Sequence, residues 1–207
     1  MLEAQLLIVT AASIAFAHTI LGPDHYLVFA AMGKARNWST ARTLRITLYC
    51  GIGHVLGSVL LGAIGLVIGA RLASLVAIEG LRGNLAGWAL LAFGLMYLAW
   101  GLRNAGRSQV HSRTSITPWA LFVVFLLGPC EALIPLFMYP AAKQDIGLVV
   151  AVATVFGVVT LLTMLAGVAI TLFGLERMKL PSLGRYSHAV AGGSIVLCGG
   201  AINFLGL

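Results

Sequence analysis

From Ile146 to Leu175 the chain runs for thirty residues without one charged side chain. A helix of that length is about 45 Å long at about 1.5 Å per residue, and the hydrocarbon core of a bilayer is about 30 Å thick. Five further apolar runs fall at about 4–33, 44–70, 85–102, 118–140 and 187–206. The 207 residues are 60% hydrophobic and only 9% charged, against roughly 25% charged in a soluble domain, and the mean hydropathy is +1.01. A water-soluble fold of this size has no interior large enough for that apolar surface, so the solvent is lipid. The runs predict an all-α integral membrane protein of six transmembrane helices joined by short loops. That leaves no length for a soluble catalytic domain, and an enzyme is not expected. There is no Gly-x-x-x-x-Gly-Lys motif, which argues against direct nucleotide use.

The formal net charge of +7 raises nucleic acid as a partner, but the placement of the charge argues against it. Lys34, Arg36, Arg42 and Arg45 follow the first run, Arg103, Arg107 and Arg113 the third, and Arg177, Lys179 and Arg185 the fifth. The alternate loops are read as holding only Arg71, Arg82 and Lys143, with Glu79 and Asp145 beside them. Basic loops of multi-pass proteins face the cytoplasm, which predicts a protein of the cell (inner or plasma) membrane with both termini outside. Ala15-Phe16-Ala17 imitates a cleavage site, but Glu3 and the lack of a basic residue ahead of the run argue that the first helix is retained. The three cysteines, Cys50, Cys130 and Cys198, all lie in apolar runs and form no disulfide framework.

Two runs are interrupted at matching places. Leu21-Gly22-Pro23-Asp24-His25-Tyr26-Leu27 has a counterpart in Leu127-Gly128-Pro129-Cys130-Glu131-Ala132-Leu133 at an offset of 106 (127 − 21). The same offset pairs Gly51 with Gly157, Gly87 with Gly193 and Gly94 with Gly200. Proline inside a helix removes a hydrogen bond and crowds the preceding turn, and an irregular backbone survives in lipid only beside protein or a polar cavity. These features predict two inverted three-helix repeats, residues 1–105 and 118–207, joined by a basic cytoplasmic linker at 106–117, with broken first and fourth helices. Transporters of that design bind their cargo at the midplane beside the breaks. Small-xxx-small pairs such as Gly53/Gly57 and Gly65/Gly69 suit close helix contacts, within one chain or in a homo-oligomer.

Six residues inside the apolar runs carry the chemistry: His18, Asp24, His25, His54, Cys130 and Glu131. Each ionised group at mid-membrane costs about 2.5–3.5 kcal/mol even on the lenient insertion scale, so a set of them needs mutual pairing, a wet cavity or a bound cation. On an unbroken helix His18 and His25 would lie about 10 Å apart, too far for one ion held at about 2.0–2.1 Å. A fold-back at Gly22-Pro23 removes that obstacle. Imidazole with carboxylate suits Ni²⁺, Co²⁺, Zn²⁺ or Fe²⁺ better than Mg²⁺ or Ca²⁺. His54 adds a ligand from the second helix, and Cys130 and Glu131 follow the opposite break. Competing structural roles exist: backbone hydrogen bonding for His18, packing for His54, satisfaction of exposed backbone groups for Asp24 and His25, and core filling for Cys130.

The stretch His18-Thr19-Ile20-Leu21-Gly22-Pro23-Asp24-His25 resembles the first-helix signature of UreH-like urease accessory proteins. These are relatives of the nickel/cobalt permeases and of TauE/SafE-like exporters in the LysE-type transporter superfamily. Gly53-His54 resembles the second histidine motif of the nickel permeases, and Gly128-Pro129-Cys130-Glu131 the fourth-helix motif of the UreH-like group. The five residues between His18 and Asp24 are one more than in the nickel permeases proper, which points to the UreH-like branch. The resemblance covers nearly the whole chain and implies transport of Ni²⁺ or Co²⁺ as substrate. Two other readings come with it. CcdA-like thiol–disulfide transporters place Pro-Cys at both breaks, where this chain has Pro129-Cys130 but Pro23-Asp24. TauE-like export of sulfur oxyanions would put an anion where Asp24 and Glu131 repel it.

Overall fold

The computed structural model describes residues 2–69, 71–105, 116–128, 132–177 and 183–205. Among these every regular element is an α-helix: α1 (Leu2–Leu21), α2 (Asp24–Ala35), α3 (Thr40–Val67), α4 (Leu72–Arg103), α5 (Ile116–Leu127), α6 (Leu133–Ala142), α7 (Ile146–Arg177) and α8 (Leu183–Leu205). Five of them, α1, α3, α4, α7 and the Tyr186–Leu205 part of α8, are long and apolar enough to cross a bilayer.

The first and fourth apolar runs are not single helices. The first divides at Gly22-Pro23 into α1 and α2, which together measure about 48 Å and would overshoot the bilayer if straight. The fourth divides into α5 and α6, of 12 and 10 residues, each too short to cross alone. The third helix also differs from expectation. It begins at Leu72 rather than near residue 85, so Glu79 and Arg82 lie inside α4 and not in a loop. The two charges are spaced i,i+3 and neutralise each other, which allows the apolar helix to extend through them.

Local sequence explains the ends. Helix α2 stops where Asn37 turns left-handed at φ 50°. Asn37 N–H donates to Lys34 O and Trp38 N–H to Gly33 O, closing the Schellman pattern that satisfies terminal carbonyls. Helix α6 ends the same way. Gln144 has φ 57°, Gln144 N–H donates to Ala141 O, and Asp145 N–H donates to Pro140 O. A polar cap then opens the next helix in both places: Ser39 Oγ accepts from Arg42 N–H at 3.3 Å, and Asp145 Oδ1 from Leu148 N–H at 2.9 Å.

Packing reverses the usual pattern of a soluble protein. Large apolar side chains cover the outside, with Val67 88%, Leu197 74% and Ile170 71% exposed, while Thr43, Thr47, Ser58, His54 and Glu79 are buried. Lipid tails are as apolar as leucine, so close contact between helices rather than hydrophobic burial holds such a bundle together. Glycines supply it. On the α4–α8 seam, a Cβ at Gly94 would lie 2.7 Å from Val196 N and one at Gly199 2.7 Å from Leu91 N. Gly87 faces Asn203, and Gly192 faces Leu98. On the α3–α7 seam Gly51 faces Leu161, and Gly157 faces Val55. In both seams one partner number rises as the other falls, so α3 runs antiparallel to α7 and α4 to α8. The glycines that the 106 offset matched on α8, Gly193 and Gly200, meet open space instead. The contacts on this seam follow an offset of 105 (192 − 87, 199 − 94), one residue short of the α3–α7 value (157 − 51).

Candidate metal centre

The break between α1 and α2 builds the first half of the site. Gly22 N–H still donates to His18 O at 3.0 Å, Pro23 has no N–H to continue the ladder, and Leu27 N–H picks it up again from Pro23 O at 2.8 Å. The Gly22 carbonyl accepts both from His25 N–H at 3.1 Å and from His25 Nδ1 at 3.1 Å. Only glycine fits there: a Cβ at residue 22 would stand 2.5 Å from His25 Nδ1 and 2.9 Å from Asp24 Oδ1. The chain does not fold back as expected: Ala11 packs with Val152, Ala15 with Phe156 and Tyr26 with Gly167, so α1 and α2 follow α7 in one direction, yet the break still brings the His18 and His25 ring centroids to 5.0 Å.

His54 comes from the middle of α3. Its ring centroid lies 5.1 Å from that of His25 and 6.5 Å from that of His18, and its Nδ1 meets Phe125 O near the end of α5 at 3.3 Å. A carbonyl only accepts, so Nδ1 of both His25 and His54 carries the proton and Nε2 keeps the lone pair a metal requires. Potential ligand atoms of His18, His25 and His54 all lie within 4.8 Å of one another. Nitrogens about 2.0–2.1 Å from one ion are at most about 4.2 Å apart, so the group must close by roughly half an ångström to hold one. Nε2 of His18 and of His25 are buried without a hydrogen-bond partner, a state that polar groups in an apolar interior seldom keep without a role.

Asp24 takes a different position from the three rings. It lies outside the three-histidine group, and its Oδ1 sits 3.2 Å from His25 Nδ1. A carboxylate so placed orients the imidazole and raises its basicity as a ligand. The histidines and Asp24 line a cavity of about 740 Å³ that continues past Gly80, Gly83 and Asn84 of α4 to Asn203 of α8. Those residues belong to the end of the bundle opposite the one that carries Arg36, Arg42, Arg103 and Arg177.

Cys130 and Glu131 lie outside the described residues, as does His111. Cys50 and Cys198 are buried, unbridged and apart from the histidine group. Tyr26 hydroxyl donates to Ile20 O across the break at 3.3 Å. His188 pairs with Tyr97 hydroxyl at 2.7 Å near the basic end, away from the cavity. The buried pair that the sequence reading overlooked is Glu79–Arg82, with Nη1 to Oε1 at 2.7 Å and Glu79 0% exposed. Its signal was the i,i+3 spacing of opposite charges between glycines in an otherwise apolar stretch. Comparison with family models, with curated proteins and with solved structures returns no match for this chain.

Proposed function

We propose that this protein is a secondary transporter of a divalent transition-metal cation, Ni²⁺ or Co²⁺ first, with Zn²⁺ and Fe²⁺ as other ions its donors accept. The observation that carries the reading is the meeting of three imidazoles, one each from α1, α2 and α3, at a helix break that opens on a cavity. His18, His25 and His54 are the ligands, and Asp24 holds His25 and supplies negative charge. Glu131, after the equivalent break, is the second carboxylate, and Cys130 beside it a soft ligand. Two carboxylates balance the charge of the dication, which a bilayer interior otherwise rejects.

Transport follows from two inverted halves rocking about this site. Reciprocal contacts support that architecture. Gly51 meets Leu161 and Gly157 meets Val55, and exchanging the halves maps one pair onto the other at the single offset of 106 (157 − 51 and 161 − 55). The α5–α6 break then completes the sixth crossing. The cavity runs toward the end that is poorer in basic residues, so this conformer faces outside, with the basic loops in the cytoplasm of a cell-membrane protein.

The test is metal binding by purified protein across several divalent ions, followed by flux into proteoliposomes. Wild type should bind Co²⁺ or Ni²⁺, and His25→Ala should not. Equal binding by the wild type and by His25→Ala removes the site.

A further inference from the structure

We infer that Arg82, held by Glu79, is a positioning residue for His54, a role that rests on the metal-site reading above. At the end of α5 Gly128 N–H is shared between Val124 O at 3.0 Å and Phe125 O at 3.1 Å, and the last four carbonyls of a helix depend on such donors from outside its regular ladder. Arg82 reaches across from α4 and donates through Nη2 to one of them, Leu126 O, at 2.8 Å. Its Nη1 is held by the fully buried carboxylate of Glu79 at 2.7 Å. The neighbouring carbonyl, Phe125 O, is the one that receives His54 Nδ1–H.

Helix α3 makes room for this arrangement. Gly57 lies one turn beyond His54 on α3, and a Cβ there would stand 2.7 Å from Arg82 Nη2 and 3.0 Å from Leu126 O. Helices α3, α4 and α5 therefore meet at one guanidinium. Its two charge-assisted bonds fix the end of α5, and the fixed end fixes the Phe125 carbonyl. That carbonyl selects the His54 tautomer that carries its lone pair on Nε2, the atom left to a metal. A helix end capped only by itself would let the carbonyl tilt, and His54 would divide between two tautomers.

The readout that needs no metal is the imidazole ¹⁵N spectrum of His-labelled protein in detergent, with His54→Ala identifying the His54 signals. Wild type should show His54 as the Nδ1–H tautomer. Arg82→Met and Gly57→Ala should give a mixture, and Arg82→Lys, which keeps one bond to Leu126 O, should restore the wild-type pattern. In Co²⁺ titrations Arg82→Met should weaken binding about 10- to 100-fold, the usual effect of losing a partner that orients a ligand. In a His54→Ala background the same substitution should add nothing. An unchanged tautomer in Arg82→Met, or an equal loss of Co²⁺ affinity with and without His54, overturns the inference. Should Arg82→Met fail to fold, Gly57→Ala carries both readouts. A wild type that binds no Co²⁺ refutes the metal reading, while the tautomer comparison still decides whether Arg82 orients His54.

Discussion

At the scale of single residues, the site depends as much on a missing side chain as on those present. Gly22 leaves the space that His25 and Asp24 occupy, and its carbonyl holds His25 Nδ1. Gly22→Ala should therefore abolish Co²⁺ binding while the protein still elutes as a folded species in detergent, because the added methyl displaces a ligand without touching a helix seam. Asp24→Asn keeps the shape but removes the charge beside His25. Binding should weaken about 10- to 100-fold, as for other partners of metal-bound histidines, whereas His25→Ala should remove it. Isothermal titration of the three variants ranks them, and an Asp24→Asn protein as inert as His25→Ala would make Asp24 a direct ligand. Lys143 is an opposite case. Its ammonium donates to Glu3 Oε2 at 2.8 Å on an exposed surface, and the carboxylate holds the lysine pKa above its ordinary value. Fully exposed pairs contribute little, so Lys143→Ala should leave Tm unchanged in detergent.

At the scale of elements, seams rather than propensities set the arrangement. Helices α4 and α8 touch backbone to backbone along Gly94 and Gly101 on one side and Gly192 and Gly199 on the other. A side chain at Gly94 has a backbone nitrogen in its way and no flexible group to push aside. Gly94→Val should destabilise the bundle by about 1–3 kcal/mol, the usual cost of overpacking. Gly200→Val, on a glycine with open space around it, should cost little. Thermal melts in one detergent separate the two, and equal Tm losses would mean that the seam is not where it is drawn. The same contrast shows why the 106 offset read from glycines does not find the surface of α8 that faces α4. Glycines are adjacent there, Gly192 beside Gly193 and Gly199 beside Gly200, and only the facing surface distinguishes them.

For the whole molecule, orientation is the quantity to test. Single cysteines introduced at Asn104 and at Gln144, in a background with Cys50, Cys130 and Cys198 replaced, should label from opposite faces of intact cells. The Gln144 position should react with an impermeant maleimide from outside and the Asn104 position only after permeabilisation. Labelling of both from one side would contradict inverted halves. The apolar runs, the breaks at Gly22-Pro23 and Gly128-Pro129, and the crowding of His18, Asp24 and His25 were legible because each rests on neighbours in sequence. Length against bilayer thickness, proline chemistry and glycine turns act locally.

Other features depend on which surfaces meet, and no local pattern encodes that. His54 reaches the group only because α3 packs beside the break. Asp24 lies on His25 rather than in the histidine group because the turn after Pro23 aims its carboxylate that way. Glu79 and Arg82 read as loop charges until α4 is seen to run through them, and they become a buried pair because the end of α5 offers Arg82 a carbonyl. The amino-acid sequence alone determined an apolar helical chain with two broken helices and ionisable residues beside the breaks. The tertiary structure decided which side chains share the cavity, because in a bundle of long helices contacts between distant residues come from the seams.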